Sequence, residues 1–97
     1  MHILLVYDIV HDGRRSKVAD ACLDYGLDRI QYSAFTGFLA RTHQEELMMR
    51  IGAIIGNTPA CVHLYPIDEK AWNRRLIFEQ AVEKVEDSHH VPGSADE

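Results

Sequence analysis

One carboxylate and a run of cations fall close enough together near the start of the chain to do chemistry on a phosphate. Asp8 is the only charge in residues 3–10, ILLVYDIV, and Arg14, Arg15 and Lys17 follow shortly after it. An ionised carboxylate inside an apolar strand is costly unless it is paired, coordinated by a metal or solvated at an edge. The strand must therefore open near residue 8 to water, to a metal or to a basic partner. An aspartate in this position can also accept backbone N–H bonds from the turn that follows, residues 10–13. Arg14, Arg15 and Lys17 sit at a predicted helix start, where free N–H groups and arginines together suit an anion such as phosphate; a solvated helix end would look the same in sequence. A second basic group, Lys70, Arg74 and Arg75, lies near the other end of the chain.

These residues need elements to hold them. Residues 3–10 are β-branched or aromatic at five of eight positions and stop at the Asp12-Gly13 turn signal, which predicts a central strand covered on both faces. Asp12 as N-cap and Gly26 as C-terminal glycine bracket a helix whose stripe is Val18, Ala21, Cys22 and Tyr25, at i, i+3, i+4 and i+7. Residues 29–40, RIQYSAFTGFLA, read as strand, break and strand, with the interruption at Ser33-Ala34. Thr42 and Glu45 form a capping-box pattern before the apolar stripe Leu47, Met48, Ile51, Ile54 and Ile55, and Gly56-Asn57 ends that second helix. Residues 60–65, ACVHLY, read as a strand, and residues 66–73 as a loop or short helical turn. Trp72 in that segment is either a cover for the core or an anchor in a subunit contact. Leu76, Ile77 and Phe78 offer a short last strand, added to this sheet's edge or to that of a neighbouring subunit.

The order is strand, helix, two strands, helix, strand, which is the β-α-β-β-α-β pattern of a ferredoxin-like α+β sandwich. Ninety-seven residues make one domain with a modest core, a size that gains from dimerisation. We place that domain at residues 1–80, including the C-terminal edge strand. Residues 81–97 form an acidic, Pro/Gly/Ser-bearing tail whose composition predicts disorder. The formal charge of −5 argues against nucleic acid until its distribution is read, because residues 83–97 carry net −4 and the body is near neutral with local basic groups. Cys22 and Cys61 lie far apart at apolar-patterned positions, as buried thiols of a reducing compartment would. No apolar run approaches the roughly 20 residues of a membrane span, and no signal peptide is visible. There is no P-loop, dinucleotide fingerprint or zinc-protease motif, and His11, His43 and His63 lack triad spacing with any Ser or Cys.

The residues from LLVYDIVHDGRR to QYSAFTGFLA resemble the N-terminal half of the CRISPR-associated protein 2 family. The matching features are the strand ending in Tyr7-Asp8-Ile9, Arg15-x-Lys17-Val18 at the helix start, Tyr25-Gly26 at its end, and Arg29-Ile30-Gln31-Tyr32-Ser33 followed by Phe35. The sequence departs from many relatives at Thr36, where they carry Glu. The resemblance implies a ferredoxin-like homodimer, cytoplasmic and prokaryotic, whose C-terminal strand pairs across the subunit interface. It also implies that two copies of Asp8 face each other over a central cleft and share one divalent cation, Mg²⁺ or Mn²⁺.

Two functions follow from the resemblance and stay open at this point. One is a scaffold for spacer acquisition that bridges integrase subunits and holds pre-spacer double-stranded DNA. In it Arg14, Arg15, Lys17, Arg74 and Arg75 would touch phosphates, and Trp72, Leu76, Ile77 and Phe78 would make partner contacts. The other is a Mg²⁺-dependent endonuclease acting on RNA or double-stranded DNA, with Asp8 as metal ligand and Tyr7 and Ser33 as positioning groups. A more distant alternative is a toxin-type ribonuclease of the virulence-associated family, which shares the fold. One carboxylate per subunit is a thin inventory for metal-assisted hydrolysis, which favours the scaffold.

Overall fold

The computed structural model describes residues 1–80. Its elements are β1 (His2–Ile9), α1 (Asp12–Asp24), β2 (Asp28–Gln31), β3 (Ala34–Phe38), α2 (Arg41–Ile55), β4 (Ala60–Ile67) and a short α3 (Glu69–Asn73). The four strands form one antiparallel sheet in the order β2-β3-β1-β4, the ferredoxin-like arrangement.

Strand alternation decides which side chains meet the helices. Ile3, Leu5, Tyr7 and Ile9 of β1 point to one face and pack with Phe35 of β3, Val18, Ala21 and Cys22 of α1, and Leu47 and Ile51 of α2. Their register partners Leu64 and Val62 on β4 lie on that same face and are partly buried against the core. The opposite face carries Leu4 and Val6 of β1, Thr36 and Phe38 of β3, and Tyr65, His63 and Cys61 of β4. Among the described residues neither α1 nor α2 covers it, and α3 reaches it only at the His2 end, where Trp72 stacks on His2. The expectation that β1 is covered on both faces is thus met on one face only, because both long helices return to the same side of the sheet.

Local chemistry accounts for the ends of α1. Its C-terminus is a Schellman-type cap: Gly26 has φ +81° and donates to the Leu23 carbonyl, and the Leu27 N–H reaches the Cys22 carbonyl. At its start the N-cap is His11, not the expected Asp12. The His11 carbonyl accepts from the Arg15 N–H, and its ring Nδ1 accepts from the Arg14 N–H at 3.2 Å. The chain turns one residue earlier than the Asp-Gly signal suggested. The α2 cap also differs, since Ala40 is the N-cap with no side-chain bond and Thr42 and Glu45 lie inside the helix. Glu45 instead accepts from Arg41 at 3.1 Å, one turn earlier, so the pair competing for its carboxylate is i,i+4.

Past β4 the chain forms α3, capped by Asp68, whose carboxylate accepts from the Ala71 N–H. The expected strand at residues 76–78 is not formed. Leu76, Ile77 and Phe78 are exposed and without regular structure, as an edge strand must be when a single chain offers it no partner. The acidic tail, residues 81–97, lies outside the described residues.

Candidate nucleic-acid and metal site

The antiparallel sheet gathers one set of residues at the end of β1 where Asp8 stands. There β1 ends, β4 begins, the β2–β3 turn closes over it, and α1 starts. Asp8 is exposed on the open face of the sheet, directly across from Cys61 of β4. Its side chain makes no hydrogen bond or ion pair among the described residues, so solvation at the sheet's end is what makes it tolerable. The expected acceptance of backbone N–H bonds by Asp8 is not seen; at the turn His11 Nδ1 accepts from the Arg14 N–H, and Arg15 donates to the Ile9 and Val10 carbonyls.

Arg15 and Arg29 frame this end of the sheet. Nη1 of Arg15 donates to the Ile9 carbonyl at 2.9 Å and more distantly to that of Val10, and its Nη2 pairs with Asp12. Arg29 lies with its guanidinium 5.1 Å from the centre of the Phe35 ring and 5.4 Å from that of Tyr32. Nε and Nη2 of Arg29 both donate to the Tyr32 carbonyl, at 3.1 and 2.8 Å, which fixes the β2–β3 turn. Arg29 Nη2 also lies 3.4 Å from the Tyr7 hydroxyl. Tyr7 itself is buried, and burial pushes its phenol above the ordinary value against the opposing pull of Arg29. Tyr32 is two-thirds exposed and has the guanidinium of Arg15 5.8 Å from its ring as well. Two arginines therefore flank one exposed aromatic ring, an arrangement suited to phosphate and nucleobase contact.

The remaining expected residues divide between this end and the other. Ser33 lies here, but it is its carbonyl that accepts from the Tyr7 N–H at 3.0 Å, not its hydroxyl. Arg14 lies here too, with Nη1 donating to the carbonyls of Ile54 and Ile55 at the end of α2. Lys17 is exposed on α1 beside the groove that α1 forms with α2. Arg74 and Arg75 are at the far end of β1, separated from Asp8 by about 20 Å of strand. There the Trp72 ring stacks on His2 at 4.1 Å, and the Arg75 guanidinium lies 3.9 Å from the Trp72 ring. Trp72, Leu76 and Ile77 border an apolar groove of about 470 Å³ floored by Leu4, Ile30, Thr36 and Ile67. Arg29 and Tyr32 are the residues that pattern reasoning passed over. They sit in the stretch read as strand before the break at Ser33-Ala34, and an arginine three residues before a tyrosine at the edge of that break was the signal available.

The donor set bears on the divalent cation. Among the described residues no three His, Cys, Asp or Glu side chains converge on a point. Asp8 is a hard oxygen ligand, whereas the thiol opposite it is soft and suits other metals. Mg²⁺ retains most of its waters and is held by one or two carboxylates, and the exposed Asp8 would supply one such oxygen ligand. Cys61, expected to be buried, is exposed because it shares the open face with Asp8; Cys22 is buried as expected.

A four-stranded antiparallel sheet with both long helices packed on one face defines the class, a ferredoxin-like α+β sandwich. Comparison narrows the class. A sequence model described as CRISPR associated protein Cas2 matches residues 1–75, and the chain belongs to that family. A Chloroflexus aurantiacus protein named CRISPR-associated endoribonuclease Cas2 2 is 52% identical over 80 residues, spanning 82% of this chain and 94% of the relative. A Cas1/Cas2 endonuclease fusion of Thermoproteus tenax is 36% identical over 76 residues, which cover 78% of this chain and 29% of the fusion. Among solved structures, Streptococcus pyogenes Cas2 at pH 6.5 superposes with a TM-score of 0.69 at 27% identity, covering 82% of this chain and all of that one. The fold also matches a chain of a partial Cas6-RT-Cas1–Cas2 complex, with a TM-score of 0.66 at 21% identity over 87% of this chain and 97% of that one. No helix among the described residues is long and apolar enough to cross a membrane.

Proposed function

We propose that this chain acts in CRISPR adaptation as a homodimeric scaffold that bridges integrase subunits and holds pre-spacer double-stranded DNA in a prokaryotic cytoplasm. The observation that carries the reading is the pairing of an open apolar sheet face with a single carboxylate. Leu4, Val6, Ile30 and Phe38 leave a face that a second copy would bury, while Asp8 alone is too little for metal-assisted hydrolysis within one chain. Leu76, Ile77 and Phe78, exposed and unpaired, have the composition to add a strand to a neighbouring sheet edge. A relative that is a fusion of endonuclease Cas1 with endonuclease Cas2 supports the partner assignment. Arg15, Lys17, Arg74 and Arg75 are the proposed phosphate contacts; Arg14 contributes its remaining donors only from a position fixed by α2.

A second reading has its own support, namely that Asp8 is exposed and unpaired among the described residues and that relatives of the chain are named endoribonuclease. In it the Asp8 carboxylates of two copies hold one Mg²⁺ or Mn²⁺, which when bound would polarise a phosphodiester and a water. Tyr7 and Ser33 shape the backbone beneath, and Arg15 and Arg29 orient the phosphate of RNA or double-stranded DNA.

Spacer acquisition in cells carrying the cognate integrase and repeat array separates the two. The scaffold reading expects deletion of this gene to abolish acquisition and Asp8→Asn to retain it. Loss of acquisition in Asp8→Asn, with dimerisation and integrase binding intact, would transfer the assignment to the metal-centred reading.

A further inference from the structure

The N-cap of α1 is an imidazole, and its geometry has a consequence for the turn that follows Asp8. Ser, Thr, Asp and Asn are the residues that ordinarily cap a helix start, and none of them changes charge near neutral pH while capping. His11 does the same work with Nδ1, which accepts from the Arg14 N–H at 3.2 Å, while its carbonyl accepts from Arg15. The ring is seated over Gly13: a Cβ there would lie 3.2 Å from His11 Cε1. A side chain at residue 13 would press on the ring, so glycine at this position gives the imidazole its place.

We infer that His11 is a proton-sensitive latch on the β1–α1 turn, closed when the ring is neutral and released when it takes up a proton. A ring nitrogen that accepts a hydrogen bond cannot carry a proton, and an imidazolium would turn a second N–H toward the Arg14 N–H. The helix dipole also disfavours a cation at this end. Arg14 and Lys17 of α1 line its side of a groove with it, and the α2 wall of that groove, Ala53 and Ile54, brings no charge. Asp12 is drawn off by Arg15, and Asp8 projects from the strand three residues earlier. The first turn of α1 also carries Arg15, whose guanidinium grips the carbonyls of Ile9 and Val10. Releasing the latch therefore loosens the segment immediately after Asp8.

The test is NMR of the full chain, uniformly ¹⁵N-labelled, across about pH 5 to 8, the range in which histidines titrate. At the upper end the His11 ring is expected in the Nε2–H tautomer with Nδ1 bare. The Arg14 amide should shift with the His11 ring's own midpoint. Its exchange protection, corrected for intrinsic rate, should fall about fivefold on the acid side, the usual worth of one N-cap. His11→Asn, which caps without titrating, should hold Arg14 protected across the range; His11→Ala should leave it unprotected throughout. An Nδ1–H tautomer in the native protein would overturn the inference, as would an Arg14 titration that persists in His11→Asn. If His11→Ala does not fold, the Asn variant and the tautomer still decide the matter.

Discussion

Nη1 of Arg14 donates to the carbonyl oxygens of Ile54 and Ile55, at 3.0 and 2.9 Å, so the start of α1 closes the end of α2. Helix-end carbonyls lack intrahelical partners, and a cation at a C-terminus also complements the dipole. Gly56, with φ +58°, lets the chain turn away, and a Cβ added there would lie 3.0 Å from Nη1 of Arg14. Arg14→Ala should therefore cost about 1–3 kcal/mol of stability, the range for hydrogen bonds to a charged group. Urea unfolding reads this directly. The salt slope of duplex binding should change less for Arg14→Ala than for Lys17→Ala, whose ammonium is exposed and makes no ion pair among the described residues.

Arg29 holds the β2–β3 turn through two bonds to one carbonyl and lies against two aromatic rings. Lysine keeps the charge but has neither the fork nor the planar face. Arg29→Lys is expected to destabilise by about 1 kcal/mol, from the lost stacking and bidentate contact. In binding, Arg29→Ala should reduce the salt slope by about one. An unchanged slope with the stability loss intact would make Arg29 a purely structural residue.

The two thiols should behave differently. Burial pushes Cys22 up from 9.0 to about 11, against the lowering pull of Arg29, whereas Cys61 is exposed on the open face. A thiol reagent at neutral pH should modify Cys61 alone in the folded chain and both in denaturant. The linkage has a definite sign. Below about pH 9 both states keep the Cys22 proton and the native advantage is complete; as pH rises toward about 11 the unfolded chain ionises first and the advantage is lost. That is roughly 2–3 kcal/mol over the window, and the raised Tyr7 phenol works in the same direction. Unfolding midpoints measured through alkaline pH should flatten in Cys22→Ala.

The proposed dimerisation through the open face predicts a specific variant. Leu4 floors the apolar groove bordered by Trp72, Leu76 and Ile77. Leu4→Lys should leave the far-ultraviolet circular dichroism intact, because the side chain points away from the helix-facing core, and should shift the protein to monomer in sedimentation equilibrium. A dimer that persists in Leu4→Lys would move the interface elsewhere.

The alternation of β1, the stripe Val18, Ala21 and Cys22, the glycine at 26 and the break before Ala34 were all legible in the residues, because each is a local pattern set by strand or helix period. The exposed position of Asp8 followed as well, from the cost of burying a lone charge. Other features were decided by what lies far along the chain. That His11 and not Asp12 caps α1, that Cys61 is exposed, and that Arg14 is drawn to Ile54 and Ile55 depend on how β1, β4 and α2 are brought together. Arg29 and Tyr32 became part of the site only when the β2–β3 turn folded over the end of β1. The order of elements and the isolated carboxylate can be read along the chain, since period and desolvation act within a few residues. The tertiary structure alone decided which face of the sheet stays open and which arginines are held by carbonyls, because those outcomes depend on the partner that long-range packing supplies.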